Sequence, residues 1–143
     1  MLERESFHRI YRASAWYDLW VSTPFALAPV VALVWPLFDL LQQRMTGRPL
    51  PPLDPHGMLF ANFFGSVVLV WSLVRLRYDD PRLARFDAVG RVLFTIAMLR
   101  ALAYGAMPLL YGFVVVEAVF GLLQLAPVRG SAWSEGPITE AAR

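Results

Sequence analysis

GMLFANFFGSVVLVWSLV, residues 57–74, is the stretch of this sequence that decides its fold. It contains no charged residue, and it is long enough for a transmembrane helix, which needs about 17–25 apolar residues. The whole chain has 143 residues, of which 57% are hydrophobic and 17% charged, whereas a typical soluble domain has roughly 25% charged residues. A chain this short could not bury so much apolar surface in its own core. We therefore expect one all-α domain in a membrane.

Three further apolar segments lie on either side of this stretch. We expect a four-transmembrane-helix bundle over residues 15–127, with spans at 15–41, 57–74, 88–107 and 109–126. At about 1.5 Å per residue the first span would reach about 40 Å, more than the roughly 30 Å of the hydrocarbon core. Pro24, Pro29 and Pro36 predict that this span kinks, because each proline removes a backbone hydrogen bond.

The two ends of the chain differ from the spans. Residues 1–14 predict a short interfacial amphipathic helix, because apolar side chains recur there at helical spacing with arginines around them. A cleaved signal peptide ending near Ala28 is the alternative, but Asp18 and the longer apolar run favour a retained first span. Residues 128–143 show no hydrophobic periodicity and predict a disordered cytoplasmic tail.

The distribution of arginine predicts the orientation of the chain. All 13 basic residues are arginine, and only Arg44 and Arg48 fall on the side opposite the N-terminus. Nine others lie outside the spans on the side of the N-terminus: Arg4, Arg9, Arg12, Arg75, Arg77, Arg82, Arg85, Arg129 and Arg143. Because positive charge is retained in the cytoplasm, we expect a multi-pass protein of the bacterial inner membrane with both termini cytoplasmic.

Ionisable side chains inside the spans are the first candidates for a site, because a charge in a bilayer is costly. Glu117 and Arg100 are predicted to pair, since the helical rise places them only about 6 Å apart in depth on antiparallel neighbours. Asn62, Tyr104 and Asp39 belong to the same outer half of the bundle. This polar cluster could bind an anionic or amphiphilic molecule, carry a proton at Glu117, or only lock two helices in register.

A second polar group is predicted near the inner face, formed by Asp18, Arg91 and Gln124. Arg91 and Arg100 are nine residues apart and point to opposite faces of an ideal helix, so one site shared by both is not expected. We expect Arg91 to extend toward the lipid headgroups and Gln124 to hydrogen-bond between helices.

The residue types exclude several kinds of chemistry. The sequence has no cysteine and no lysine, so it offers no thiolate ligand, cysteine nucleophile or Schiff-base lysine. Its two histidines, His8 and His56, fall on opposite sides of the predicted membrane, which argues against a haem bound within the chain. We expect no metal and no cofactor, and the placement of the arginines around the spans does not favour nucleic-acid binding.

Two blocks of the sequence carry a resemblance. Residues 11–18, YRASAWYD, are followed by Pro24-Phe25-Ala26, and residues 59–62, LFAN, precede Gly65-Ser66. This pattern resembles small uncharacterised four-span inner-membrane proteins of proteobacteria. The resemblance implies a four-span fold and no particular activity.

The sequence thus favours a non-enzymatic accessory or binding protein of the membrane. Its expected partners are the lipid bilayer together with another membrane subunit, a second copy of the chain or an amphiphilic small molecule. One alternative is a small oligomeric proton-coupled transporter that uses Glu117. Another is a membrane enzyme that acts on a lipid or quinone, with Glu117 or Asp39 as its acid–base group.

Overall fold

The computed structural model describes residues 2–78, 80 and 82–128. Within these ranges the chain forms no strand, so the predicted all-α class is confirmed; Leu2 and Val128 form one isolated parallel bridge. The five α-helices are α1 (Arg4–Ser22), α2 (Ala28–Thr46), α3 (Pro55–Tyr78), α4 (Arg82–Ala103) and α5 (Leu110–Leu125), with a 3-10 helix, Thr23–Ala26, between α1 and α2. The predicted disordered tail lies, apart from Val128, outside the described residues.

The predicted first span is two helices rather than one. α1 runs through the expected boundary at residue 14 without a break, so the leader and the start of the span form a single helix. The chain then leaves the helical conformation at Leu27 (φ −127°, ψ 122°), and α2 turns by 102° relative to the segment before it. Pro24 and Pro29 lie on either side of the break, and each lacks the N–H that would continue the helical hydrogen bonds. Pro36 lies inside α2 without ending it.

The 3-10 helix packs directly on α3. The side-chain amide of Asn62 donates a hydrogen bond to the carbonyl of Phe25 at 3.0 Å. One turn further along α3, a Cβ on Gly65 would lie 2.4 Å from the backbone carbon of Phe25 and 2.4 Å from the backbone nitrogen of Ala26. Only a residue without a side chain fits this approach, so Gly65 sets the position of the proline break against α3.

The connection between α3 and α4 is shorter than predicted. The sequence places a charged turn between residues 74 and 88, but α3 continues to Tyr78 and α4 begins at Arg82. The extra helical turns are stable because Arg75 and Asp87, expected in the turn, face the interior and bind each other. The last helix, Leu110–Leu125, agrees with the predicted span at 109–126.

The helices pack as two pairs, α1 with α3 and α4 with α5, and α1 also contacts α5. Phe7, Tyr11 and Ala84 form a small apolar core where α1 meets the start of α4. At the same end the backbone N–H of Leu2 donates to the carbonyl of Pro127 at 2.9 Å. The start of α1 and the end of α5 therefore lie side by side.

Length and composition identify α3 as a helix that could cross a bilayer by itself. The segment Arg4–Ala26 and α2 are long and apolar enough only when they are taken together as one bent span. The described residues therefore contain one candidate span, or two if this bent pair is counted. α5 is apolar but shorter, with 16 residues. This finding does not by itself establish the predicted four-span arrangement.

Candidate functional site

Four helices turn a polar stripe toward one common interior. Along each helix the buried polar side chains follow a spacing of three, four or seven residues, which keeps them on one face. They are Ser14 and Asp18 on α1, Ser72 and Arg75 on α3, Asp87 and Arg91 on α4, and Glu117 and Gln124 on α5. We call the five charged members, Asp18, Arg75, Asp87, Arg91 and Glu117, the buried ion cluster.

Arg91 binds all three carboxylates of the buried ion cluster. Its Nε donates to Asp87 at 3.0 Å, its Nη1 to Glu117 at 2.7 Å and its Nη2 to Asp18 at 2.7 Å. The side chain is 2% exposed, and its guanidinium carbon lies 5.1 Å from the ring centre of Phe120. Arg91 thus joins α1, α4 and α5 through charge-assisted hydrogen bonds, which are stronger than neutral ones.

Arg75 is the second cation, and it is fully buried. One of its terminal nitrogens donates to Asp18, and the other donates to Asp87 and to the hydroxyl of Ser14. Its guanidinium carbon lies 5.9 Å from the ring centre of Tyr11. These contacts connect α3 to both α1 and α4.

Asp87 collects the largest number of donors. Besides the two arginines, it accepts hydrogen bonds from the indole nitrogen of Trp71 at 2.8 Å and from the amide of Gln124 at 2.7 Å. The Gln124 amide also donates to Ser14 at 2.9 Å. Through these contacts, every one of α1, α3, α4 and α5 is bound to at least two of the others.

The buried ion cluster has an excess of negative charge. Three carboxylates face two guanidinium groups, which gives a formal charge of −1. In the described part of the chain, Asp18 Oδ1 and Glu117 Oε1 accept no hydrogen bond, although the other oxygen of each carboxylate is bound. Two carboxylate oxygens are therefore available to a further donor.

A cavity of about 630 Å³ lies between the α1–α3 pair and the α4–α5 pair. Its walls are mainly apolar and include Phe25, Phe64, Val67, Phe94, Met98 and Phe113. Asp18, Asp87, Arg91 and Glu117 line the cavity as well. From Asp87 to Met98 it follows α4 for about 16 Å at the rise of an α-helix. The cavity thus combines a long apolar part with the ion cluster at one end.

The predicted outer-half cluster is not formed. Glu117 forms its ion pair with Arg91, so the predicted pair of Glu117 with Arg100 is wrong. Arg100 is exposed on the opposite face of α4, where its guanidinium carbon lies 5.9 Å from the ring centre of Tyr104. Tyr104 is 82% exposed and does not line the cavity that Glu117 lines.

Asn62 and Asp39, the other two members of the predicted cluster, have structural partners elsewhere. Asn62 holds the 3-10 helix through the carbonyl of Phe25. Asp39 accepts a hydrogen bond from the backbone N–H of Leu50 at 2.7 Å and another from Gln43 at 2.8 Å. Asp39 therefore fixes the loop that follows α2 and does not belong to the ion cluster.

The predicted inner-face group is brought together. Asp18 and Arg91 form an ion pair, and Gln124 hydrogen-bonds between helices as expected. The prediction that Arg91 reaches the headgroups is wrong, because its side chain is buried among three carboxylates. The sequence analysis missed Arg75 as a member. Gly65, Val68, Ser72 and Arg75 are the buried residues of α3, and their helical spacing is the signal that could have identified it.

In the described ranges, no three histidine, aspartate or glutamate side chains are arranged so that they could hold a metal ion. Comparisons with protein-family models, with curated proteins and with solved structures found no match for this chain. The geometry of the cluster and the cavity is therefore the basis for assigning a function.

Proposed function

We propose that this chain is a membrane-embedded binding protein that holds one amphiphilic molecule in the cavity between the α1–α3 and α4–α5 pairs. The observation that carries the proposal is the combination of an apolar cavity of about 630 Å³ with a buried ion cluster lining it. That volume falls in the roughly 300–1,000 Å³ of small-molecule sites. The apolar walls suit a hydrocarbon body, and the cluster suits a polar head group.

The distribution of polar and apolar side chains supports a lipid environment. Among the described residues, ten polar or charged side chains are buried, against seven apolar ones. Large apolar side chains point outward, among them Phe60 (69% exposed), Phe86 (70%) and Leu122 (70%). In water this arrangement would leave extended apolar surface exposed, whereas in a bilayer the charges are shielded and the apolar faces meet lipid.

The same distribution supports four crossings of the membrane, in line with the resemblance to four-span proteins. In this proposal α1 with the 3-10 helix, α3, α4 and α5 each cross once. α2, turned by 102°, lies close to the outer interface. The hydrogen bond between Leu2 and Pro127 supports a location of both ends of the described chain on one side of the membrane, the cytoplasmic side in this proposal. Because Arg75 lies in the interior, eight arginines remain outside the membrane on the side of the N-terminus, and two lie on the opposite side. This excess of arginine favours a cytoplasmic location of both ends.

The position of the cluster favours a small ligand over a partner subunit as its occupant. Glu117 and Asp18 are each only 9% exposed, and Arg91 is 2% exposed. A second protein could not reach these groups from the outside of the helices. A molecule that enters between α3 and α4 could, because these two helices border the cavity on opposite sides.

Filling the cavity is expected to abolish ligand binding. Gly90 lines the cavity, and a Cβ at this position would meet no atom within 4 Å, so Gly90→Leu places a side chain in the open space without touching the ion cluster. Native mass spectrometry of protein extracted gently from its own membrane should show one amphiphile per wild-type chain and at least a tenfold lower occupancy in the variant.

Gly112→Leu is the matched control, because a Cβ at Gly112 also meets no atom within 4 Å and this residue does not line the cavity. It should retain the bound molecule. Equal occupancy in the two leucine variants, or a broad distribution of lipids without a discrete stoichiometry, would contradict the proposal.

The proposed topology makes a separate prediction. A phosphatase that is active only outside the cytoplasm should be inactive when fused after Arg143, and active when inserted at Pro51 between α2 and α3. The measurement is phosphatase activity normalised to the amount of fusion protein in the membrane. Activity of the fusion after Arg143 would reverse the orientation.

A further inference from the structure

The buried ion cluster also defines the charge of the head group, an inference that rests on the proposed function. We propose that the occupant of the cavity is an amphiphile with a positively charged nitrogen head, of the alkylammonium class, bound by the free carboxylate oxygens of Asp18 and Glu117.

The guanidinium nitrogens that line the cavity already bind carboxylates, and Arg75 Nε, which has no hydrogen-bond partner among the described residues, is buried away from the cavity. Each of the three guanidinium nitrogens of Arg91, the arginine that lines the cavity, donates to a different carboxylate. Arg75 is fully buried and does not line the cavity. A bound anion would have to share Arg91 with three carboxylates, whose negative charge opposes its approach.

The acceptors, in contrast, are partly free. Asp18 and Glu117 line the cavity, and Asp18 Oδ1 and Glu117 Oε1 have no hydrogen-bond partner among the described residues. The side chains of Asp18 and Glu117 are 11% and 12% exposed, so a molecule in the cavity can reach them. An ammonium group carries several N–H donors and could satisfy both oxygens.

The formal charge of the cluster points the same way. Three carboxylates and two guanidinium groups leave a formal charge of −1 in a cluster whose side chains are at most 12% exposed. One monovalent cation would bring the sum to zero, whereas an anion would double the excess. Uncompensated charge is costly in an apolar interior, so a cation is favoured over an anion or a neutral head group.

Aromatic side chains next to the cluster provide an independent contribution. Tyr17 and Trp71 both line the cavity. Tyr17 precedes Asp18 in α1, and Trp71 donates its indole N–H to Asp87. A cation near the face of such a ring is attracted by the negative charge density of the ring. Beyond them, Phe64 and Phe94 meet edge to face with ring centres 5.6 Å apart, beside the apolar part of the cavity.

The test compares three probes that share one alkyl chain and differ in head-group charge: dodecylammonium, dodecanol and dodecyl sulfate. The full chain, in a nonionic detergent with a bulky sugar head group, is titrated with each probe and analysed by native mass spectrometry. We expect one dodecylammonium per chain, bound at least tenfold more tightly than the other two. Gly90→Leu should abolish this binding, since it fills the cavity and leaves every carboxylate in place.

Glu117→Gln removes one of the two proposed carboxylates and should lower the preference for dodecylammonium over dodecanol at least tenfold. Glu5→Gln is the matched control, because Glu5 has an 83% exposed side chain at the start of α1, and it should keep the wild-type preference. If Glu117→Gln does not fold, the preference of the wild-type chain and its loss in Gly90→Leu decide the question.

The outcomes separate the two proposals. Tighter binding of dodecyl sulfate or dodecanol, lost in Gly90→Leu, would overturn the cationic head group and leave the binding function standing. Binding of all three probes that Gly90→Leu does not change would remove the cavity as a binding site, and both proposals would fail.

Discussion

Replacing Arg91 with methionine is expected to prevent the chain from accumulating as a folded protein. Methionine keeps the length of the side chain but leaves Asp18, Asp87 and Glu117 with Arg75 as their only cation. Breaking a buried ion pair in this way costs about 3–5 kcal/mol, a large part of a typical stability of about 5–15 kcal/mol. Size-exclusion chromatography in mild detergent should show loss of the monodisperse peak.

Arg100→Met is the control for this prediction, since it changes the same residue type on the exposed face of the same helix. It should give a normal yield and a thermal midpoint close to wild type. The triple variant Arg91→Met, Asp87→Asn, Glu117→Gln leaves the pair of Arg75 with Asp18 and should recover part of the folded protein. If Arg91→Met alone were as stable as Arg100→Met, the buried ion cluster would not hold the helices together.

Substitution of Gly65 is expected to have the second-largest effect. In Gly65→Ala the new methyl group would overlap the backbone of Phe25 and Ala26, each 2.4 Å away. Backbone cannot move aside as a flexible side chain can, so the 3-10 helix must separate from α3. Overpacking of this kind typically costs about 1–3 kcal/mol. A lower thermal midpoint in detergent, followed by tryptophan fluorescence, is the measurement.

Gly112→Ala introduces the same methyl group where no atom lies within 4 Å. It should leave the midpoint unchanged or raise it slightly, because alanine favours the helix over glycine by about 1 kcal/mol. Equal midpoints for Gly65→Ala and Gly112→Ala would show that the 3-10 helix does not depend on its close approach to α3.

The helical content of the chain could be predicted from hydrophobic periodicity, but the break in the first span could be placed only approximately. Three prolines signal a kink, and composition does not say which of them ends the helix. Pro36 is accommodated inside α2, whereas Pro24 and Pro29 together produce the break. Pro24 lies in the first turn of the 3-10 helix and Pro29 in the first turn of α2, so the extended residue Leu27 lies between two positions that lack an N–H.

The candidate site was predicted in part. Depth arithmetic placed Glu117 near Arg100, but depth does not tell which face of α4 turns toward α5. The structure turns the face with Arg91 inward, as the burial of Ala84, Asp87 and Ala88 on the same stripe indicates. The sequence predicts a turn at Arg75 because a run of charged residues is typical of solvent-exposed chain, and a single sequence does not reveal the partners of Arg75 on other helices.

The order of the charges along the chain has a consequence for biosynthesis. The ion cluster reads Asp18, Arg75, Asp87, Arg91, Glu117, so its signs alternate from the first helix made to the last. Arg75 is synthesised between Asp18 and Asp87, and Arg91 between Asp87 and Glu117. An arginine is therefore available to neutralise each carboxylate before the next one is made. In the proposed membrane topology, α4 would enter the bilayer with Asp87 and Arg91 as an ion pair within one helix, and this pair would contribute no net charge. A nascent chain inserted helix by helix thus carries no more than one unmatched cluster charge at any stage.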